Sequence, residues 1–427
     1  WGPPGTGKTY TLGAMLAQYL ATFPDRRVLI LSQINSAVDQ ALLAVDDRVR
    51  ELEAQSTKDA ELKGRYVRIG NRWIARNYVG REHLLFLPDA ELVRRLAILD
   101  TDSRQNHPED NRSYAAWKIE RAQLRAEVRK QIGQCLSRVH LAAMTTTYAT
   151  FALFDETRSA GPLFDLVVVD EGSQVSLAQV IMLAQLGKAV LIAGDPRQLR
   201  PIARADDPVA QEWLTKSMFS VMDGQSNSTC FLDEQNRMAS PINNVVSHVF
   251  YEDRLRVDAN SLRDHEWQAY RHLAEVHPFG ARAVYCHENC GSARPEHQSW
   301  IRLKSADLTK QFVKNLVAPP HGIQPSDILV LTPFRAQRRL IRKILNDSRF
   351  FEVYVSTVHR AQGSERHTVI FDCANGDTRF LREEGQRIVN VALSRAQARL
   401  ILLISRDDRA NNAVLELVAH FAAPSAE

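Results

Sequence analysis

Long apolar runs are missing from this sequence: nowhere do about 18 consecutive apolar residues occur, so no segment reads as a membrane-spanning helix. No stretch at the start has the layout of a signal peptide. Cysteine is scarce and unpatterned. Cys135, Cys230, Cys286, Cys290 and Cys373 are an odd set without framework spacing, which argues against a disulfide scaffold and for a reducing compartment. Cys286-His287-Glu288-Asn289-Cys290, with His297 nearby, lacks the second pair a zinc site would need, and reads as ordinary loop sequence. An excess of one charge is missing too. The net charge is +4, from 54 basic and 50 acidic residues that are interspersed, so any polyanionic partner has to be argued from motifs. The expected home is the cytoplasm, or the nucleus in a eukaryote. At 427 residues the chain has room for two or three domains, each with its own core.

What is present begins at once. Gly2-Pro3-Pro4-Gly5-Thr6-Gly7-Lys8-Thr9 fits the phosphate-loop pattern, two glycines four residues apart followed by Lys and Ser or Thr. Glycines there let backbone N–H groups close around a di- or triphosphate, and the following helix aims its positive end at the same anion. Lys8 would reach the β- and γ-phosphates and Thr9 would hold Mg2+, though the loop alone predicts nucleotide binding and nothing more specific. Such a loop normally follows a buried strand, so a segment ahead of residue 1 is expected.

Helix-forming composition from Tyr10 to Leu20 and an apolar run from Arg27 to Leu31 start a parallel βαβ unit. Ser32 to Asp39 then leaves the strand's carboxyl end, where open α/β sheets place ligands. Residues 46–139 are charge-rich and read as an inserted helical arm, with Trp117, Leu124, Val128, Ile132 and Leu136 at helical spacing and Arg121, Arg125, Arg129 and Lys130 between them. Those arginines read as a solvated face or, less simply, as a basic arm. Phe164 to Val169 is a strongly apolar strand that delivers Asp170-Glu171. Two adjacent carboxylates there divide into two tasks: Asp170 orients Mg2+, and Glu171 polarises the attacking water. A further strand ends in Gly194-Asp195-Pro196-Arg197-Gln198, where an amide could sense a γ-phosphate. A polar run from Asp223 to Thr229 reads as a linker. Strands recur at 327–332, 353–358, 368–371 and 400–404, which makes two α/β domains, 1–222 and 223–427. Residues 252–300 carry no clear pattern.

Taken in order, GPPGTGKT, DEGSQ, GDPRQLRP, LDEQNRM, TPFRAQ, STVHRAQGSE and NVALSRA resemble the motif series of superfamily 1 helicases. The EQNRM and NVALSRA forms look most like the branch of the nonsense-mediated-decay RNA helicase and its DNA-acting relatives. The resemblance implies an α/β fold of two RecA-like parallel-sheet domains of the phosphate-loop NTPase class. It implies ATP in the interdomain cleft, single-stranded DNA or RNA across both domains, a monomer and no membrane. Gly2, Pro3, Pro4, Gly5, Thr6, Gly7, Lys8 and Thr9 become the nucleotide loop, with Glu365 near the ribose and γ-phosphate. Thr9 and Asp170 become the Mg2+ ligands. Glu171, Gln198, Arg237 and Arg395 become the catalytic set, the arginines acting as fingers on the transferred phosphoryl group. Ser32, Asn35, Ser36, Thr145, Thr146, Thr332, Pro333, Arg335, Thr357 and His359 become the nucleic-acid track. The expected activity is ATP-driven stepping along a single strand with duplex unwinding. Rival readings are an ATP-dependent clamp without processive unwinding and a nucleotide switch acting on protein partners. The branch commonly carries alanine where Gly172 stands and an aromatic where Asn236 stands.

Overall fold

The computed structural model describes residues 1–55, 65–70, 72–102, 112–154, 161–203, 205–222, 228–319, 322–361 and 364–422. They form two compact units. The amino-terminal unit holds Lys8–Gly194 and Pro201–Asp223, and the carboxyl-terminal unit holds Trp1–Gly7, Asp195–Arg200 and Gly224–Glu427. Residues 1–7 and 195–200, which a single cut at 222/223 would give to the first domain, therefore pack with the second unit. Residues 223–227 of the expected linker lie outside the described residues.

The amino-terminal unit is built on a six-stranded sheet in the order Leu85–Phe86, Tyr66–Ile69, Leu141–Thr145, Val28–Ser32, Phe164–Val169 and Gly187–Ile192, with every pair parallel. A parallel sheet covered on both faces needs continuous apolar strands, which is why VLILS and FDLVVV show little alternation. Val28, Ile30, Leu141, Ala143 and Val168 face the helices Lys8–Thr22 and Asn35–Gln55. Leu29, Leu31, Ala142, Met144, Val167 and Val169 face Arg112–Leu136, Thr146–Leu153 and Leu177–Ala184. Each such valine, leucine, isoleucine or methionine contributes about 1.5–3 kcal/mol, so the central strands hold the unit together.

The 46–139 stretch is only in part the helical arm that its sequence suggests. It contributes the helices Ala90–Asp102 and Arg112–Leu136, but also two strands to the sheet. The strand Tyr66–Ile69 escapes a reading by pattern because Arg68 sits in it, buried to 1 % exposure. Arg68 is affordable there because Asp39, Asn35 and the carbonyls of Ile69 and Arg72 accept its N–H groups. The arm's arginines pack inward over rings: Arg121 lies over Trp117 and pairs with Asp100, and Arg125 and Arg129 lie over Phe151.

In the carboxyl-terminal unit five parallel strands run in the order Tyr354–Thr357, Ile328–Thr332, Arg366–Asp372, Ala396–Leu403 and Val284–His287. Leu329, Leu331, Val369, Phe371, Leu400 and Leu402 line one face, and Ile328, Val330, Ile370, Ile401 and Leu403 the other. The unpatterned 252–300 region supplies the edge strand Val284–His287 and the helix His265–Arg271. Gln337 of the TPFRAQ motif is fully buried and ties Arg302 and Ser305 to Asp372. The expected architecture of two parallel-sheet α/β units is therefore present.

One close crossing tests the packing. Alanine is about 1 kcal/mol better than glycine inside a helix, so Gly13→Ala would stabilise the helix Lys8–Thr22 if there were room. A Cβ at Gly13 would lie 2.7 Å from the Cβ and the backbone carbonyl of Ala44, and a backbone cannot swing aside as a side-chain tip can. Gly13→Ala should lower stability by about 1–3 kcal/mol, seen as a lower urea midpoint at unchanged m-value.

Candidate functional site

Parallel pairing aligns Val169 with Leu31 and Ser32 with Thr145, and Asp170 N–H donates to the Leu31 carbonyl (2.8 Å). Asp170 therefore emerges at the carboxyl end of the sheet, 2 % exposed. Its Oδ1 accepts the Glu171 N–H (2.9 Å). Burial first, and the Glu171 carboxylate second, push the Asp170 carboxyl up to about 7, against the pull of the Lys8 ammonium and of that N–H. An anion so placed is short of positive charge. A Mg2+ ion fits that need, since it takes one or two protein oxygens and completes its shell with water and phosphate. Asp170 offers one such protein oxygen.

Glu171 follows in a left-handed conformation, φ 52° and ψ 41°, a setting that costs a non-glycine residue about 1 kcal/mol or more. Gln174 Nε2 donates to its Oε2 (3.3 Å). The next residue has to be small. A Cβ on Gly172 would lie 2.5 Å from Ile192 Cγ2 and 3.6 Å from the Phe219 ring, which accounts for glycine where the branch commonly has alanine.

In the carboxyl-terminal unit, Gly5, Gln198, Arg237, Glu365 and Arg395 lie together. Gly5, at φ 78°, has its carbonyl bonded by Asn236 N–H (3.1 Å), and a Cβ there would be 2.7 Å from Arg237 Cβ. Only glycine lets the loop come this close. Arg237 donates to the Ser394 carbonyl (3.3 Å) and pairs with Glu365 (3.4 Å), and Arg395 Nη2 reaches Gln198 Oε1 (3.4 Å). Arg395 and Gln198 are each 4 % exposed. Two guanidinium groups beside a glycine loop give a donor set suited to a phosphoryl group whose charge is changing.

Several residues of this cluster escaped the sequence reading. Asp195 is the hub, accepting from Trp1 Nε1 (2.9 Å), Arg197 N–H (3.0 Å), Gln198 Nε2 (2.8 Å) and the Tyr251 hydroxyl (2.6 Å). Asn390 Nδ2 donates to that hydroxyl and to the Arg197 carbonyl. Gln235 Oε1 accepts the N–H groups of Arg237 and Met238, so a buried amide shapes the turn that carries Arg237. Asp195, Gln235 and Asn390 lie inside the motif strings, which was their signal. Tyr251 lies outside them and gave none.

The nucleic-acid residues divide. Ser32, Thr146, Thr332, Pro333 and Thr357 are buried, which corrects the expectation that their side chains face a polymer. The physical reason is local. The Thr146 hydroxyl donates to Gln33 Oε1 (2.6 Å), and Thr332 Oγ1 accepts the Phe334 N–H. Asn35 is partly exposed but its amide oxygen holds Arg68. Thr145 is also partly exposed and caps the helix Thr146–Leu153. Ser36 and His359 are partly exposed, and Arg335 is exposed. Burial and the Arg335 charge lower the pKa of His359, which favours the neutral ring, and that ring stacks on Phe380.

The Asp170 charge has a measurable cost. A carboxyl whose folded pKa is raised binds its proton more tightly in the native state, so its contribution to stability is lost as pH rises from the unfolded carboxylate value of about 4 through the folded value. Asp170→Asn should raise the melting temperature of the nucleotide-free protein at about pH 8, and raise it far less at about pH 5.

Family models, each described as an AAA domain, match residues 1–205 and 214–407. The DNA polymerase alpha-associated DNA helicase A of Schizosaccharomyces pombe is 26% identical over 424 residues, 94% of this chain and 60% of that protein. The Regulator of nonsense transcripts 1 homolog of Neurospora crassa is 25% identical over 425 residues, 94% of this chain and 35% of that protein. The ATP-dependent helicase NAM7 of Saccharomyces cerevisiae is 25% identical over 442 residues, 98% of this chain and 41% of that protein. This chain thus spans less than two thirds of the length of each. With matches end to end and the motifs in order, the chain belongs to the superfamily 1 helicases, in the branch of the nonsense-transcript regulator and its DNA-acting relatives.

Proposed function

We propose that this chain is the motor of an ATP-driven helicase or translocase acting on single-stranded nucleic acid. The observation that carries the reading is the convergence of Gly5, Gln198, Arg237 and Arg395 in one unit, with Asp170 and Glu171 at a strand end in the other. On this reading Lys8 and the loop Gly2 to Gly7 hold the phosphates. Asp170 and Thr9 would hold Mg2+, which supplies charge neutralisation at the phosphoryl oxygens when bound. Glu171 orients and polarises the attacking water. Gln198 senses the γ-phosphate, and Arg237 and Arg395 neutralise charge that develops on the transferred group. Glu365 holds the Arg237 guanidinium while it is not on phosphate.

The single strand is read by its backbone. Arg335, His359 and Ser36 supply side chains, and the strand-to-helix turns after Ser32, Thr145 and Thr332 supply N–H groups. Sugar–phosphate contacts of this kind give salt-dependent, sequence-tolerant binding. A DNA helicase and a regulator of nonsense transcripts among the relatives support either polymer.

Two measurements test the reading. ATPase rate with matched single-stranded RNA and DNA should rise by about tenfold or more with one of them; a flat rate in both sinks the nucleic-acid motor in favour of a switch on protein partners. Stimulation without strand separation would instead indicate a clamp. Glu171→Gln should still bind ATP and turn it over at least ~100-fold more slowly, and unchanged turnover would remove Glu171 from the mechanism.

A further inference from the structure

The loop that carries Arg237 is braced from outside by the helix His265–Arg271, in a region without any motif. Arg271 donates Nε–H and Nη2–H to the Arg237 carbonyl (3.1 and 2.7 Å) and Nη2–H to the Asn236 carbonyl (3.1 Å). Trp267 Nε1–H donates to the same Asn236 carbonyl (2.6 Å). The guanidinium lies over the Trp267 ring, 3.9 Å from its centroid, and donates to the Trp267 carbonyl, so the fork is fixed at its base as well as its tip. On the same helix Tyr270 donates its hydroxyl to Gln397 Oε1 (3.0 Å), two residues beyond Arg395, and the Gln397 carbonyl accepts Ala239 N–H (2.8 Å). One short helix therefore ties the Arg237 turn to the Arg395 turn.

The bonds to the turn all end on main-chain carbonyls, so they fix the backbone from which Arg237 projects whatever side chain stands at 236. An arginine on a turn has many rotamers, and its value to a transition state depends on how little of that freedom is left to lose. We propose that Arg271, seated on Trp267, is a positioning residue for Arg237, and that the helix His265–Arg271 is a splint that keeps Arg237 and Arg395 in mutual register. The inference rests on reading Arg237 as an arginine finger.

The test is made in the whole protein with Arg271→Ala, Arg271→Lys, Trp267→Phe, Arg237→Ala and the Arg237→Ala/Arg271→Ala double variant. Arg271→Ala should lower kcat by ~10–100-fold and weaken binding of ADP–aluminium fluoride in parallel, while its affinity for ADP changes by less than ~3-fold. Arg271→Lys should recover only part of this, because an ammonium cannot fork to two carbonyls. Trp267→Phe keeps the ring, loses one donor and should show a smaller loss of the same kind. The double variant should be no slower than Arg237→Ala alone. Additive losses, or equal weakening of ADP and of the transition-state mimic, would show a general structural role and overturn the brace. Slow turnover by Arg237→Ala beside normal turnover by Arg271→Ala sinks the brace and spares the finger. Normal turnover by Arg237→Ala overturns both.

Discussion

A carboxylate taken out of water at the end of a parallel strand is the constraint on which the site depends, and the protein meets it in two ways. Asp195 is satisfied from within: an indole, an amide, a phenol and a backbone N–H all donate to it. It is a structural anion, and its work is to fix Gln198 and the turn around it. Asp170 is equally buried, yet it has a second carboxylate beside it and is balanced by a lysine and one N–H. A group left so short of positive charge is destabilising unless something else supplies it. The two aspartates end neighbouring motifs and look alike in sequence, but one is saturated with donors and the other is not.

The arginines are handled by the same logic. Arg302 is buried for structure and has Asp408 in a two-point pair, with Asp408 also capping the helix Arg406–Ala410. Arg68 is buried for structure and has Asp39. Arg395 is also buried, and among its contacts Nη2 meets the Gln198 amide oxygen at 3.4 Å, while Arg237 meets a carbonyl and a partly exposed Glu365 at 3.3 and 3.4 Å. Structural cations are matched closely and in kind. On the proposed reading, a phosphoryl oxygen can replace the long Arg237 contacts without leaving that charge unpaired.

The fold was legible because its strands are short continuous apolar runs flanked by turn residues, and VLILS, FDLVVV and ILVL declare themselves. Tyr66–Ile69 did not, because a buried arginine hides it and its partner Asp39 lies 29 residues away. The candidate set Gln198, Arg237 and Arg395, which the structure brings together, was legible as motif letters whose order carries information. The supports were not. Tyr251, Trp267 and Arg271 act through hydroxyl, indole and guanidinium donors on distant main chain or on Asp195, and contacts of that kind leave no periodic trace. The partition of residues 1–7 and 195–200 with the carboxyl-terminal unit was illegible for a similar reason, since it rests on Trp1 against Phe231 and Asp195.

The buried hydroxyls alter how a polymer track would have to work. Reading Ser32, Thr146, Thr332 and Thr357 as contacts assumed that small polar residues at strand ends are there to touch a ligand. The structure spends at least two of them on the chain itself: Thr146 on Gln33 and Thr332 on the N–H of Phe334. Together with Thr145, which caps the helix Thr146–Leu153, they turn a buried strand into a helix within a few residues. Each such turn sets the first helical N–H groups at the carboxyl edge of its own sheet, with Ser36 partly exposed in the amino-terminal unit, and Arg335 exposed and His359 partly exposed in the carboxyl-terminal unit. Main-chain donors and a few cations recognise phosphate equally well under any base, and they move with the strand to which they are bonded. Sequence-independent recognition of a sugar–phosphate chain is better served by such turns than by free hydroxyls, each of which would also lose rotamer freedom on binding.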